Sequence, residues 1–169
     1  MGLDPRLAHL VGTWSGTGVG CYPTIADFTY TDQISFTDIG KPFLHFIQRT
    51  WMDGEPRHTE TGYWRMPTPD AVEVVIALPT GQAERGSGTC RTDEDGAIVI
   101  ETDSSVQNTP TAKQVDRIVR QLRVDGDHMH YEVFMEAVGQ GLALHLLSLI
   151  HISEPTRRTP ISYAVFCLK

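Results

Sequence analysis

The stretch LVGTWSGTGVGCYPTI, residues 10–25, decides the fold. It contains a tryptophan, strand-forming residues and three glycines at alternate positions, Gly16, Gly18 and Gly20. Glycine inside a strand marks a sharp bend or a close approach by a ligand or another backbone. A nucleotide-binding glycine loop must follow a strand and open a helix, whereas strand-like residues continue after this motif. The segment therefore predicts a bent or closely approached first strand and not a phosphate-binding loop.

Three Asp-Gly dipeptides divide the chain into segments with alternating apolar residues. They are Asp53-Gly54, Asp95-Gly96 and Asp125-Gly126. Because both central residues of a type I′ turn need positive φ, Asp-Gly between strand-like segments is a strong hairpin signal. The three dipeptides predict a meander of antiparallel strands.

The segments between these turns alternate as half-buried strands do. In HMHYEVFMEAV, residues 128–138, one face carries Met129, Tyr131, Val133 and Met135. Because side chains on a strand point to opposite faces in turn, this pattern predicts a strand with one buried face. Other β-rich runs are TYTDQISF (29–36), FLHFIQRTW (43–51), ETGYWRM (60–66), AVEVVIAL (71–78), GAIVIET (96–102) and DRIVRQLRV (116–124). The chain is therefore predicted to be all-β, with about ten short antiparallel strands.

Helix signals occur only near the two ends. Asp4-Pro5 before RLAHLVG places proline at a first helical position, and GLALHLL, residues 141–147, predicts a second short helix. So many strands with so little helix must close into a barrel or stack as a sandwich to avoid open edges. The glycine-rich first strand favours the barrel, with short terminal helices.

Composition restricts the classes of function. The chain has 169 residues, the size of one domain, and a formal charge of −7 argues against a general nucleic-acid-binding surface. No apolar run reaches the roughly 18 residues of a membrane span, and the amino terminus lacks a signal-peptide pattern, so we expect a cytoplasmic protein.

Cys21, Cys90 and Cys167 fit no zinc spacing and indicate reduced thiols, and the pair His128 and His130 lacks a third zinc ligand.

The carboxyl-terminal residues resemble sequencing adapters. LSLIHISEPTR, residues 147–157, resembles the conceptual translation of a transposase adapter, and ISYAVFCL, residues 161–168, that of the flow-cell adapter which follows it. We therefore predict a native domain over residues 1–146 and a foreign tail over residues 147–169, poorly packed or extended away from the barrel. Finding this tail as a well-buried strand of the core would overturn the adapter interpretation. His151 and Cys167 are set aside as site candidates.

The first-strand motif belongs to a wider pattern. Gly12, Trp14, Gly16 and Gly18, followed by YPT at 22–24, resemble the nitrobindin family and the nitrobindin-like domain of THAP-type proteins. Further similar blocks are FTYTDQISFTDIGKPFLHF (28–46), GEPRHTETGYWR (54–65), PTAKQV (110–115) and AVGQGLALHL (137–146). The resemblance covers residues 7–146 and implies a ten-stranded antiparallel β-barrel similar in shape to lipocalins and fatty-acid-binding proteins.

The same resemblance implies a function. It suggests a small intracellular protein that binds one haem b, isomerises peroxynitrite to nitrate at the ferric iron, and binds nitric oxide. No side chain is then needed as a catalytic acid or base. Two alternatives stay open: a nitric oxide sensor or carrier without turnover, and a haem-free barrel that holds a fatty acid.

Three residues are the candidates for the haem site. The resemblance places the iron-binding histidine at His145 and haem-contacting residues at Thr24 and Lys113. Neutral imidazole is a common haem ligand, and lysine can pair with a propionate. Without the resemblance these residues are a packed core histidine, a turn hydroxyl and a solvated loop cation. His58 aligns with a histidine on the opposite side of the haem in some members, or is a surface strand residue.

Overall fold

A computed structural model describes residues 2–154, which form a short helix followed by a closed barrel of ten strands. The elements, in chain order, are α1 (Pro5–Ala8), β1 (Gly12–Tyr22), β2 (Ile25–Asp38), β3 (Phe43–Met52), β4 (Glu55–Thr68), β5 (Ala71–Leu78), β6 (Gln82–Thr92), β7 (Ile98–Asn108), β8 (Val115–Asp125), β9 (His128–Ala137) and β10 (Gln140–Glu154). Each strand pairs antiparallel with its sequence neighbours, and β10 pairs with β1. The predicted all-β, ten-stranded antiparallel barrel is confirmed. Residues 2–154 contain no helix that is long and apolar enough to cross a membrane.

Helix α1 covers one end of the barrel, as the Asp-Pro signal predicts. The Asp4 side chain accepts a hydrogen bond from the Arg6 amide at 2.9 Å and caps the helix. Leu7 and Leu10 are fully buried, and the Leu10 carbonyl accepts the indole N–H of Trp14 at 2.8 Å. The amino-terminal helix is thereby joined to the first strand and to the core of the barrel.

The three Asp-Gly dipeptides all lie at hairpin connections, but only one forms the predicted turn. Asp53 and Gly54 both have positive φ between β3 and β4. Asp95 and Gly96 lie in a longer connection between β6 and β7, where only the glycine has positive φ. Asp125 is the last residue of β8, so the third turn is centred one residue later. The predicted meander of antiparallel hairpins is therefore confirmed at all three sites, although only the first has the two positive φ values of a type I′ turn.

The predicted helix over residues 141–147 is wrong, because this segment lies in β10. Its leucines satisfy a helical period, but the edges of β1 and β9 both need a hydrogen-bonding neighbour to close the barrel. Tertiary pairing therefore decides the conformation here over local sequence preference.

The prediction of a poorly packed tail is also wrong for residues 147–154. These residues form the second half of β10, with Ser148 and Ile150 buried and Leu149 65% exposed on the outer face. The domain described by the structure thus extends beyond Leu146. This packing counts against a foreign origin, whereas the order and spacing of the two adapter-like segments favour it. Most of the tail, including Cys167, lies outside the described residues.

The interior of the barrel has two unlike halves. The half beneath α1 is filled by large aromatic side chains, among them Trp14, Phe36, Phe46 and Trp64, with ring centroids of Phe36 and Phe46 5.4 Å apart. The other half, where β1 ends at Tyr22, contains a cavity. Buried charged and polar side chains lie between the two halves.

Candidate functional site

The cavity has a volume of about 550 Å³ and is lined largely by apolar side chains, including Phe28, Leu78, Val115 and Met135. This volume lies within the range of small-molecule sites, about 300 to 1,000 Å³. Polar and charged side chains also reach the same space, among them Arg57, His58, Lys113 and His145. The cavity is therefore suited to a ligand that is largely apolar but also carries polar groups.

The glycines of β1 give this cavity part of its wall. A Cβ atom on Gly20 would lie 2.0 Å from the Phe28 ring, and one on Gly18 would lie 2.3 Å from the Tyr30 ring. Phe28 and Tyr30 pair with these glycines across β1 and β2, and both rings line the cavity. The predicted close approach is confirmed: aromatic rings make the nearest contacts at Gly18 and Gly20, and the β10 backbone makes it at Gly16, where a Cβ would lie 2.3 Å from the Leu149 carbonyl oxygen.

His145 reaches the cavity through a β-bulge in β10. Leu144 pairs with Phe134 of β9 and Leu146 pairs with the next residue, Val133, so His145 is the extra residue. A bulge bends the strand and can redirect a side chain. As a result His145 and Leu146, although adjacent in sequence, both line the cavity.

The His145 ring is fixed in one neutral tautomer. Its Nδ1 lies 3.2 Å from the carbonyl oxygen of Cys21, and because a carbonyl only accepts, Nδ1 carries the proton and donates. Burial lowers the pKa of His145, the hydrogen bond to Cys21 opposes this, and nearby His58 lowers the pKa further. The ring is therefore neutral at pH 7, with the lone pair on Nε2. That nitrogen has no hydrogen-bond partner among residues 2–154.

Of the other predicted site residues, two line the cavity and one does not. Lys113 is exposed and lines the cavity, and its backbone carbonyl accepts a hydrogen bond from Gln82 at 2.8 Å. His58 is half-buried and also lines the cavity, so it is not simply a surface strand residue. Thr24 is exposed in the turn between β1 and β2 and is not part of the cavity wall. The structure thus brings His145, Lys113 and His58 together but leaves Thr24 at the barrel end.

A buried ionic cluster forms the floor of the cavity, and sequence reasoning missed it. Arg120 of β8 makes two hydrogen bonds to the Glu60 carboxylate, at 2.5 and 3.1 Å, and others to Glu84, the shortest at 2.6 Å. The Tyr131 hydroxyl also contacts Arg120, and Ser104 donates to Glu84 at 2.8 Å. Arg120 occupies an inward position of an otherwise apolar face, and that misplaced charge is the signal that could have revealed the cluster.

A third buried carboxylate, Asp32, accepts hydrogen bonds from neutral side chains. Asp32 accepts two hydrogen bonds from the Gln48 amide, both 2.9 Å, and one from Ser148 at 2.6 Å. Ser148 also contacts the Tyr30 hydroxyl at 2.7 Å. Burial raises the pKa of Asp32, and the hydrogen bonds from Ser148 and Gln48 oppose that rise without cancelling it.

Comparison with known proteins assigns this architecture to a family. The family model described as "THAP4-like, heme-binding beta-barrel domain" matches residues 5–151, most of the chain.

The chain belongs to this haem-binding barrel family.

Two relatives of known name illustrate the match. Peroxynitrite isomerase 2 of Mycobacterium avium (strain 104) is 44% identical over 147 residues, which cover 86% of this chain and 91% of that protein. Peroxynitrite isomerase 1 of Mycobacterium tuberculosis (strain ATCC 25618 / H37Rv) is 43% identical over 151 residues, covering 86% and 92%. The crystal structure of Rv2717c from M. tuberculosis superimposes with a TM-score of 0.84 at 41% identity, covering 90% of this chain and 99% of that one.

The residues of this haem-binding barrel fit the group that its family name describes. His145 offers an unprotonated Nε2 toward an apolar cavity, which is the donor that haem iron takes in many proteins. Three cationic side chains line the cavity; Arg120 is paired with Glu60 and Glu84, whereas Arg57 and Lys113 can meet the carboxylates of a ligand. A different metal site is not evident in residues 2–154, where no group of three or more His, Cys, Asp or Glu side chains could hold an ion.

Proposed function

We propose that this protein binds one haem b through His145 and isomerises peroxynitrite to nitrate. The observation that carries the proposal is the neutral His145 imidazole, held through Nδ1 and directed into the apolar cavity of a haem-binding barrel. The names of the curated relatives, peroxynitrite isomerase 1 and 2, support the reaction.

The chemistry divides between the cofactor and the chain. When bound, the haem supplies a ferric iron, a Lewis acid that can polarise the peroxide oxygen of peroxynitrite. His145 would supply a nitrogen ligand to the iron, and the apolar part of the wall would exclude water from the reacting anion. Peroxynitrite and nitrate are isomers with the same proton count, so no side chain needs to transfer a proton. We therefore assign no catalytic acid or base.

The contacts at the mouth of the cavity belong to the same proposal. Lys113 is placed to pair with a haem propionate, and Arg57 can supply a second positive charge on the cavity wall. Thr24 lies at the same barrel end, two residues after Tyr22, and we assign it a lesser contact at the rim. We further propose that the same haem binds nitric oxide and that the protein acts in the cytoplasm, where the free thiols of Cys21 and Cys90 are stable.

Haem titration of the apoprotein tests the first half of the proposal. We expect a Soret band that saturates at one haem per chain, is lost in His145→Ala, and is retained in the control His130→Ala. His130 lies on β9 outside the cavity wall, so it controls for removal of a histidine. Failure of the wild-type protein to give the band, with tight binding of a fluorescent fatty acid instead, would support the lipid-binding alternative.

Stopped-flow mixing of the ferric holoprotein with peroxynitrite tests the second half. We expect faster peroxynitrite decay than with the same concentration of free haem, and a matching yield of nitrate. A holoprotein that binds nitric oxide but does not accelerate peroxynitrite decay would contradict the isomerase and leave the sensor or carrier.

A further inference from the structure

Tyr22, the last residue of β1, contacts the His145 ring directly. The two ring centroids are 5.5 Å apart and the ring planes are inclined at 80°, an edge-to-face arrangement. Tyr22 is 9% exposed, so its position is set by protein contacts and not by solvent. Tyr22 therefore makes a direct edge-to-face contact with the imidazole.

The Tyr22 hydroxyl is held by the backbone of β9. It accepts a hydrogen bond from the Ala137 amide at 2.9 Å and donates its single proton to the carbonyl of Ala137, at 3.1 Å, or of Met135, at 3.3 Å. In the barrel order β10 lies between β1 and β9. The Tyr22 side chain therefore reaches past β10 and ties together the two strands that flank the His145 bulge.

The residue before Tyr22 holds the other side of the same ring. Pairing of β1 with β2 shifts between Gly20 and Tyr22, and pairing of β1 with β10 ends at Gly20 and Leu146. The Cys21 carbonyl is thereby left to accept the Nδ1 proton of His145. Since His145 is itself the unpaired residue of a bulge, these two contacts orient its ring where the strand ladder does not.

We propose that Tyr22 is a positioning residue that holds His145 in the orientation and tautomer needed to bind iron. We assign Tyr22 no direct contact with the substrate, because it acts through His145. The inference rests on the proposed haem function for its purpose, but the orientation of the ring can be measured in the protein without haem. A tyrosine is needed because phenylalanine would supply the ring edge but not the hydroxyl that fixes it to Ala137.

Nuclear magnetic resonance of the apoprotein, with ¹⁵N-labelled histidine, tests the proposal without any cofactor. In the wild-type protein we expect His145 to be a single Nδ1–H tautomer with a slowly exchanging ring proton. In Tyr22→Phe we expect both tautomers and faster exchange, and in Tyr22→Leu a larger change. Tyr63→Phe is the matched control, because it removes the hydroxyl of an exposed tyrosine on β4 that does not line the cavity.

Haem affinity gives the second readout. Loss of a group that orients a metal ligand typically lowers metal affinity about 10- to 100-fold. We expect the haem dissociation constant to rise about 10-fold in Tyr22→Phe and more in Tyr22→Leu, with no such rise in Tyr63→Phe. Equal haem affinity and an unchanged tautomer in Tyr22→Phe, despite a lower melting temperature, would reduce Tyr22 to a packing residue and overturn the proposal.

Two further outcomes keep this test separate from that of the proposed function. If the wild-type protein binds no haem, the haem function fails while the tautomer of His145 still decides the role of Tyr22. If Tyr22→Phe does not fold, the wild-type apoprotein is used instead. Nuclear Overhauser contacts between the Tyr22 and His145 rings would then support the positioning role of Tyr22. Their absence, together with rapid exchange of the Nδ1 proton, would overturn the proposal.

Discussion

The two halves of the barrel differ in their interiors, although the same ten strands form both: one half is filled by aromatic side chains and the other contains the cavity. In the filled half, the rings of Phe36 and Trp64 pack edge to face, with centroids 5.8 Å apart. In the hollow half, glycines on β1 admit Phe28 and Tyr30 but leave an open cavity. The ionic cluster around Arg120 separates the two. The comparison indicates that stability is concentrated in one half and ligand binding in the other, with the buried charges preventing the aromatic core from extending into the cavity.

Removal of residues 147–169 should reduce stability most among these changes, because it removes the part of β10 that closes the filled half of the barrel. It leaves His145 in place but removes most of the pairing between β1 and β10, together with Ile150 from the core. An opened barrel exposes unpaired strand edges. We expect loss of the cooperative thermal transition in circular dichroism and aggregation on size exclusion. Removal of residues 155–169 is the control and should leave the transition intact; equal melting of both truncations would contradict the assignment of β10.

The foreign origin of residues 147–169 stays a proposal, and the sequence of the natural gene at its own locus tests it. A strand ladder is made by backbone groups, so many alternating segments can complete it. If the natural codons after Leu146 differ, we expect them to keep the alternation of inward and outward side chains. A locus that encodes the same residues, with no adapter homology in the underlying bases, would contradict the proposal.

Arg120→Met tests the boundary between the two halves. It leaves Glu60 and Glu84 buried without their cationic partner, and breaking a buried ion pair in this way costs about 3 to 5 kcal/mol. We expect a loss of this size in the free energy of unfolding, measured with urea. Adding Glu60→Gln and Glu84→Gln to the same chain should restore much of the loss. Failure of the triple variant to recover stability would show that Arg120 acts through its shape and not through charge.

Two of the buried carboxylates, Glu60 and Asp32, should give opposite pH dependences. Burial opposes ionisation of Glu60, but Arg120 and His58 outweigh it and lower its pKa to about 2. Its stabilising contribution is therefore present above its ordinary pKa near 4.5 and is lost as pH falls toward 2. The pKa of Asp32 is raised, so its contribution is present below its ordinary pKa of 3.8 and is lost as pH rises through the folded value.

Urea unfolding at a series of acidic pH values separates these two contributions. Glu60→Gln should remove part of the stability loss that accompanies acidification. Asp32→Asn should instead remove part of the loss that accompanies rising pH, and it should not destabilise the protein at pH 7 as much as Arg120→Met. Parallel pH profiles for the two variants would contradict the assignment of opposite pKa shifts.

The same two halves explain how much of the fold could be read from the sequence. Strands with alternating apolar residues, such as β5 and β9, were predictable because one face enters the core. β6 was missed because its inward positions carry Gln82, Glu84 and Gly86, which face the polar floor and the cavity. β10 was misassigned because its leucines fit a helical period as well as a strand. Local pattern therefore failed in two ways: in β6 the inward positions are polar, and in β10 the apolar residues also fit a helical period.

The site was predictable only in part for a related reason. His145, Lys113 and Thr24 came from resemblance, whereas the bulge that directs His145 depends on the register between β9 and β10. Arg120 meets Glu60 across 60 positions of sequence, and no short motif records such a contact. A charged residue at an inward-facing position of a strand indicates that it has a buried partner. Identifying that partner requires the register of the closed barrel.

The smallest expected effect concerns the mouth of the hollow half, where Lys113 and Thr24 can be compared. An exposed ion pair contributes roughly 0.2 to 1 kcal/mol and weakens with salt. Lys113→Met should therefore raise the haem dissociation constant by roughly two- to five-fold at low ionic strength, with the difference shrinking in high salt. Thr24→Val carries no charge change, so any loss of affinity should be smaller and independent of salt. Haem titrations of both variants at two salt concentrations measure this difference. A salt-independent loss in Lys113→Met would place the lysine in a packing contact and not in a charge pair with a propionate.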